Sequence, residues 1–235
     1  MEIMDACYAS IRRHMQNPIV HLTDMTTPAL PFAWQVQRIE EPDLMKARFK
    51  HLAALKGDIL LLDYDTIVQA NVSNDFPPGY AIGLTKREPD DPNKLLLCLA
   101  SPHNIGVIFS RAPQFWERVL ARLDEYPDKD TWNTAQVCVT ECAHMYRKRF
   151  NLLELPAEQY NYTPKSMAED VSAHKIVHYK GNKKHWMVAS LAALAESKRV
   201  EQIVLKSKTF YTQEHPDFER IEAELTRRAN MTEVG

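Results

Sequence analysis

The sequence predicts an α/β protein in which helices flank a mainly parallel sheet, followed by a C-terminal helical extension. Two observations predict this class. Short apolar runs alternate with longer segments of helical periodicity, which is the order typical of strand–helix–strand units. One run, Ile59–Leu62, is apolar at every position, as expected for a strand that is buried on both faces of a parallel sheet.

Length and composition bound the organisation. The chain has 235 residues, of which 45% are hydrophobic and 26% charged, values typical of a soluble globular protein with one large core. We find neither an apolar stretch long enough to cross a bilayer nor the basic start of a signal peptide. The net charge of −2 argues against a dedicated nucleic-acid coat. We therefore expect one domain over 1–190 and a helical extension over 191–235, in the cytoplasm.

Each element rests on a local pattern. Pro18 ends the first helix, and Asp43 is a typical N-cap for the second. Irregular segments are predicted at 26–31, 71–78 and 156–164. The predicted helices cover 4–15, 43–55, 113–123, 135–150, 187–196 and 216–228. The predicted strands cover 19–24, 34–39, 59–62, 80–85, 95–100 and 106–109.

Two carboxylates, Asp63 and Asp65, follow the apolar run directly. In open α/β sheets, ligands bind at the carboxyl ends of the strands. A diphosphate would be repelled there, because each like-charge pair at about 4 Å costs roughly 4 kcal/mol at an effective dielectric of 20. A divalent cation reverses the sign; oxygen ligands suit Mg²⁺ or Mn²⁺, and an added imidazole favours Mn²⁺. A pair of solvated turn acids is the alternative interpretation.

A second constellation lies in the segment 176–186. His178, Gly181 and Lys184 have the spacing H-x-x-G-x-x-K. The glycine would let the backbone approach a ligand closely, and the lysine offers a point charge to a phosphate. A basic surface turn is the alternative interpretation.

Together the two constellations resemble the motifs of metal-dependent GT-A glycosyltransferases, particularly glycosyltransferase family 8. The matching residues are Asp63-x-Asp65 and His178-x-x-Gly181-x-x-Lys184-x-Trp186. The resemblance implies a GT-A-like fold over roughly residues 3–190. It also implies that Asp63 and Asp65 contact the donor ribose and Mn²⁺ (or Mg²⁺), and that His178 completes the metal site. Gly181 and Lys184 would lie against the diphosphate.

Weaker similarities extend the resemblance. Arg48 matches an arginine that often reaches the donor, although an exposed helical arginine is the plain alternative. Asn104 begins an N-x-G strand and would lie near the donor sugar. Gln136 ends a segment similar to W-x-x-D-Q and would be catalytic with Asn104, but Ala135 stands at the position of the acid. A further departure is His185, which replaces the family's proline.

Two more features bear on the resemblance. The stretch Tyr160-Asn161-Tyr162 resembles a "YN" stretch of related sequences and is interpreted as structural. Family members open with a strand that holds the nucleotide base, whereas this chain begins almost inside its first helix. An upstream start, a substitute element and impaired donor binding all remain open. A partner chain, as in a homodimer, could cover the exposed sheet edge.

The cysteines favour a reducing compartment. Cys98 lies in the apolar run at 95–100, where a core thiol is expected. Cys138 and Cys142, with His144 nearby, could suggest zinc, but their spacing lacks the paired C-x-x-C knuckles of structural zinc sites. A helix face lined by cysteines is favoured.

The resulting hypothesis is transfer of a hexose from a nucleotide-diphosphate sugar, a UDP-hexose in the first instance, to an unidentified hydroxyl acceptor. The family resemblance implies retention of anomeric configuration. One alternative is a catalytically degenerate protein of the same fold that binds nucleotide or a partner. The other is a phage-type transferase that acts on DNA bases, motivated by the lysines at 175, 180, 183 and 184.

Overall fold

The described part of the chain contains both helices and strands. The computed structural model describes residues 2–30, 33–40, 43–87, 101–127 and 132–187, which belong to one unit, Met1–Val188. The elements predicted at 95–100, beyond 187 and at 216–228, and the extension over 191–235, lie outside the described residues and stay predictions. Within the described ranges, no helix has both the length and the apolar character that crossing a bilayer requires.

The elements follow the predicted order closely. The helices are α1 (Glu2–His14), α2 (Leu44–Ala54), α3 (Pro113–Asp124), α4 (Trp132–Tyr146) and α5 (Ala157–Tyr160). The strands are β1 (Val20–Asp24), β2 (Gln35–Ile39), β3 (Ile59–Leu62), β4 (Thr66–Val68), β5 (Ile82–Lys86), β6 (His103–Ser110), β7 (Leu152–Pro156) and β8 (Ile176–His178). A 3₁₀ turn, Gly181–Lys183, follows β8.

The start of α2 shows why the local predictions succeed. Asp43 is the N-cap, and its side chain accepts hydrogen bonds from the backbone N–H groups of Met45 and Lys46. Helix α3 instead begins with Pro113, whose missing N–H costs nothing in the first turn of a helix. Both signals are visible in the sequence.

The strands form three sheets with mixed directions. The largest has the order β3-β6-β5-β7, in which β6 runs antiparallel to both of its neighbours and β5 pairs with β7 in parallel. Strands β1 and β2 form a parallel pair, and β4 and β8 an antiparallel pair. The α/β class is confirmed, and three of the four strands of the largest sheet, β3, β5 and β7, run in the same direction. The apolar run 59–62 is a strand, as predicted, but its four residues are only partly buried, and its partner β6 runs antiparallel to it.

Helices α2, α3 and α4 cover one face of the main sheet. Trp116 lies at the centre of this layer, stacked on Phe49 and in edge contact with Phe115, while its indole N–H donates to Ser110. A second cluster packs on the opposite face. Its buried members are Met15, Val68, Val72, Phe76, Val107, Phe109, Leu155, Tyr160 and Ile176.

An irregularity in β6 prepares the functional site. Leu84 of β5 pairs with Ile108, but the next residue, Thr85, pairs with Asn104, so residues 105–107 leave the β5 ladder. This part of β6 instead bonds to the residue that follows β3: the backbone N–H of Asp63 donates to the carbonyl of Gly106 over 2.8 Å. Bulged strands commonly re-aim side chains beside functional sites.

The described cysteines are core residues. Cys138 and Cys142 lie one turn apart on the buried face of α4, as predicted, whereas His144 is exposed. Burial raises the pKa of the Cys138 thiol to about 11 and that of Cys142 to about 12. Thiols in this state are poor metal ligands. Cys98 lies outside the described residues.

Candidate metal centre

A short antiparallel ladder joins the two predicted constellations. Strand β4 starts directly after Asp65, and its first residue, Thr66, pairs with His178 at the end of β8. The backbone N–H of Tyr179 donates to the carbonyl of Asp65 over 2.8 Å. The ladder therefore holds the imidazole of His178 against the carboxylates that follow β3.

The three side chains form a tight cluster. Nε2 of His178 lies 2.9 Å from Oδ1 of Asp65 and 3.5 Å from Oδ2 of Asp63. One potential ligand atom from each residue lies within 4.8 Å of the others, and no other such group of acids, histidines and cysteines occurs among the described residues. The side chains of Asp65 and His178 are only 8% and 4% exposed, while Asp63 is 25% exposed and forms the open side. Two carboxylates and an imidazole are a ligand set that fits Mn²⁺.

Gly106 makes the cluster possible. A Cβ at this position would lie 2.2 Å from Cε1 of His178 and 2.8 Å from Oδ2 of Asp63. Both distances are far below van der Waals contact, so any side chain here would force the imidazole or the carboxylate out of place. The glycine of the N-x-G pattern therefore provides space for the cluster.

Arg48 contacts the first aspartate of the pair. Its guanidinium donates to Oδ1 of Asp63 over 2.7 Å and to the carbonyl of Ile105 over 2.6 Å. These contacts connect α2 and β6 to the acid and hold its carboxylate in one orientation. The donor contact expected for Arg48 stays a prediction; the arginine is already engaged with Asp63.

Lys184 lies at the mouth of the cluster. Its ammonium is 3.1 Å from Oδ2 of Asp65, donates to the hydroxyl of Tyr64 over 2.6 Å, and lies 4.4 Å from the centre of the tyrosine ring. Gly181 has a φ of +61°, a conformation that disfavours other residues, and a Cβ there would meet nothing within 4 Å. The glycine thus shapes the turn that brings Lys184 back to the acids.

The charge state of Asp65 follows from its neighbours. Burial raises the pKa of its carboxyl, but the hydrogen bond and charge of His178 and the charge of Lys184 outweigh burial. The net effect holds the pKa of Asp65 below its ordinary value. The carboxylate is therefore kept ionised, which is the state that a cation requires.

A buried hydrogen-bond network lies behind the imidazole. Nδ1 of His178 lies 2.8 Å from Oδ1 of Asn161, and the amide of Asn161 in turn contacts Asn104 and Thr85. The sequence interpretation gave Asn161 only a structural role and missed Thr85. The "YN" stretch was the one available signal, and it carried no information on which side chain Asn161 would meet.

Gln136 lies in a different environment. It is 1% exposed, its Oε1 accepts a hydrogen bond from Arg87, and its Nε2 has no hydrogen-bond partner among the described residues. Ala135 is fully buried. No hydrogen bond or ion pair found among the described residues joins Gln136 to Asp63, Asp65 or His178, so its catalytic role stays a prediction.

Comparisons with solved structures find likenesses that include three glycosyltransferases. No protein-family model and no curated protein matches the chain. A glycosyltransferase involved in the glycosylation of the major capsid of PBCV-1 is similar at a TM-score of 0.47 and 14% identity, covering 73% of this chain and 98% of that one. The glycosyltransferase GlyE of Streptococcus pneumoniae TIGR4 is similar at a TM-score of 0.49 and 12% identity, covering 83% of this chain and 60% of that one. Mouse xyloside xylosyltransferase 1 is similar at a TM-score of 0.46 and 11% identity, covering 78% of this chain and 94% of that one. At these values the likeness by itself assigns neither a family nor a substrate.

Proposed function

We propose that this protein is a metal-dependent glycosyltransferase of GT-A-like fold that transfers a hexose from a UDP-hexose to a hydroxyl acceptor. One observation carries the proposal: two sequence motifs that lie far apart in the chain meet as one cluster of Asp63, Asp65 and His178, with Lys184 beside it. Solvated turn acids would have no need of a fitted glycine and a buried imidazole. Family 8 membership and retention of configuration stay predictions.

The proposed roles follow from charge. A divalent cation held by Asp63, Asp65 and His178 would offset the negative charge of a diphosphate and of the departing UDP. The ammonium of Lys184 lies 3.1 Å from Oδ2 of Asp65, and it would share that charge. Arg48 would keep the carboxylate of Asp63 turned toward the cation. Gly181 allows the turn that carries Lys184 to this position.

Hydrolysis of UDP-glucose or UDP-galactose with added Mn²⁺ tests the activity. Asp65→Asn keeps the size of the side chain and removes one anionic ligand, so we expect a loss of about a hundredfold or more, equivalent to roughly 3 kcal/mol of transition-state stabilisation. Asp58→Asn is the matched control, because that carboxylate pairs with Arg111 outside the cluster. Equal inactivity of wild type and Asp65→Asn across a panel of donors would remove the support for an enzyme.

A second candidate is a protein of the same fold that binds UDP without turnover. A fully buried Ala135, at the position where the resemblance has an acid, favours it. Calorimetry with UDP and Mn²⁺ separates the two candidates: tight binding together with no turnover of any donor supports the second.

The DNA-base alternative loses its motivation. Two of its four lysines already contact protein acceptors: Lys175 lies 2.6 Å from Asp75, and Lys183 donates to a backbone carbonyl. A phosphate-binding patch would require these ammonium groups to be directed outward. We therefore do not propose a DNA substrate.

A further inference from the structure

In the hydrogen-bond network behind His178, one backbone N–H group determines which atom of each side chain is the donor and which is the acceptor. We call this donor-to-acceptor direction the polarity of the network. The backbone N–H of Gly106 lies 2.9 Å from the Asn104 side chain. A backbone N–H can only donate, so the Asn104 atom that faces it is the carbonyl oxygen, Oδ1. This contact fixes the orientation of the first amide.

The same oxygen fixes the second amide. Oδ1 of Asn104 is also 2.8 Å from the Asn161 side chain, and the Asn161 atom that faces an oxygen must be the donor, Nδ2. The other hydrogen of Nδ2 goes to the hydroxyl of Thr85 over 2.6 Å. That hydroxyl donates onward to the backbone carbonyl of Asn104 over 3.1 Å. Both hydrogens of Asn161 are thus used.

The polarity ends at the imidazole. With Nδ2 turned toward Asn104, Asn161 presents only its oxygen, an acceptor, to Nδ1 of His178 at 2.8 Å. Nδ1 must therefore carry a hydrogen. Nε2, the nitrogen 2.9 Å from Asp65, is therefore the one that can present a lone pair to a cation; without a cation it donates its hydrogen to the carboxylate of Asp65.

We propose that Asn104 and Asn161 are positioning residues that make Nε2 of His178 the metal-binding nitrogen, with the polarity set by the N–H of Gly106. This inference rests on the proposed function, because it requires a cation at the cluster. It gives Asn161 a role beyond packing, and it gives Asn104 a role directed at His178 instead of the donor sugar.

Burial makes the arrangement rigid. Asn104, Asn161 and His178 are 4%, 2% and 3% exposed, and Thr85 is fully buried. If the Asn161 amide flipped, its oxygen would face Oδ1 of Asn104, and two buried acceptors would oppose each other without a hydrogen. Water cannot easily relieve this conflict at such low exposure, so one orientation is strongly favoured.

The first test is the affinity for Mn²⁺. Asn161→Leu has nearly the same size but lacks the acceptor for Nδ1–H, and loss of a partner behind a metal-bound histidine commonly weakens metal binding about 10–100-fold. We expect that loss in calorimetry of the full-length chain. Asn71→Leu is the matched control, since Asn71 is exposed and bonds only locally to Ser73. Circular dichroism and thermal unfolding confirm that each variant is folded.

A second pair of variants separates polarity from packing. Asn104→Asp keeps an oxygen that accepts from both Gly106 and Asn161. We therefore expect its Mn²⁺ affinity to be closer to that of the wild type than the affinity of Asn104→Leu is. Asn104→Leu removes that oxygen and should weaken binding as Asn161→Leu does. If Asn104 had a purely structural role, the Mn²⁺ affinity of each variant would fall only in proportion to its loss of thermal stability.

A spectroscopic readout needs no network variant. In cadmium-113-loaded protein with nitrogen-15-labelled histidines, we expect coupling between the metal and Nε2 of one histidine, and a proton on Nδ1 of the same ring. His178→Gln should abolish the signal. Coupling to Nδ1, or unchanged Mn²⁺ affinity in folded Asn161→Leu, would overturn the inference and leave the metal site intact. If the wild type binds neither Mn²⁺ nor cadmium, the proposed function fails, and the inference fails with it.

Discussion

At the scale of single residues, Gly106 matters because its missing side chain leaves the space that His178 and Asp63 occupy. A Cβ there would lie 2.2 Å from His178 and 2.8 Å from Asp63. We predict that Gly106→Ala weakens Mn²⁺ binding and lowers the free energy of unfolding by about 1–3 kcal/mol, the usual cost of overpacking.

Gly83→Ala is the matched control for this prediction. It lies in the same sheet, and its Cβ would be 3.1–3.2 Å from Phe109, Leu155 and Phe76, none of which belongs to the cluster of Asp63, Asp65 and His178. This control should lose stability and keep its Mn²⁺ affinity. If Gly106→Ala and Gly83→Ala bind Mn²⁺ equally well, the fitted role of Gly106 is wrong.

Asp65 gives the fold a pH dependence of known sign. Its folded-state pKa lies below the ordinary value of 3.8, so the unfolded chain binds the proton more readily. The carboxylate thus stabilises the fold above that ordinary pKa, and this contribution is lost as the pH falls through the lower, folded-state value. We predict that urea unfolding shows a steeper loss of stability in acid for the wild type than for Asp65→Asn. Parallel stability curves for the two proteins would contradict the account.

Sequence motifs located the cluster but not its supports. The spacing of Asp63, Asp65, His178 and Lys184 is a property of the sequence, and these residues do lie together. The contact of Asn161 with His178 depends on where two separate segments cross, and no local pattern encodes that crossing.

At the scale of elements, α4 carries a prediction about its thiols. Cys138 and Cys142 are fully buried, and burial raises the pKa of their thiols to about 11 and about 12. Cys7, in α1, is also buried, and burial raises the pKa of its thiol to about 11. A thiolate is the reactive form, so a Cys98→Ser variant should react negligibly with a disulfide reagent at mildly alkaline pH until it is unfolded. Rapid labelling of the native variant at Cys138 or Cys142 would show that this face of α4 opens.

Four elements were missed by the sequence-based prediction: strands β4, β7 and β8, and the short helix α5, which lies in the segment 156–164 that was predicted to be irregular. Strand β7, Leu152–Pro156, contains a glutamate, ends in proline and lacks β-branched residues, so its composition gives little strand signal. Strand β4 has three residues, too few for a period of two to be recognised. Both strands form through tertiary pairing, β7 with β5 and β4 with β8.

At the scale of the whole molecule, the sequence predicts which segments form strands better than it predicts how the strands pair. The apolar run of β3 is indeed a strand, but its partner β6 runs antiparallel to it, as it does to β5. Each strand of the main sheet other than β6 has the same direction, in agreement with a mainly parallel sheet, although β3 and β5 both pair with the antiparallel β6. The homodimer and the C-terminal extension stay predictions.

The central claim is that Asp63, Asp65 and His178 bind a divalent cation that serves a UDP-linked donor. Calorimetric titration of Mn²⁺ into the full-length protein, with and without UDP, tests this claim most directly. The account predicts one Mn²⁺ site in the wild type, tighter UDP binding when Mn²⁺ is present, and loss of both in Asp65→Asn and His178→Gln. Mn²⁺ binding that is absent from the wild type, or that survives unchanged in both variants, would contradict it.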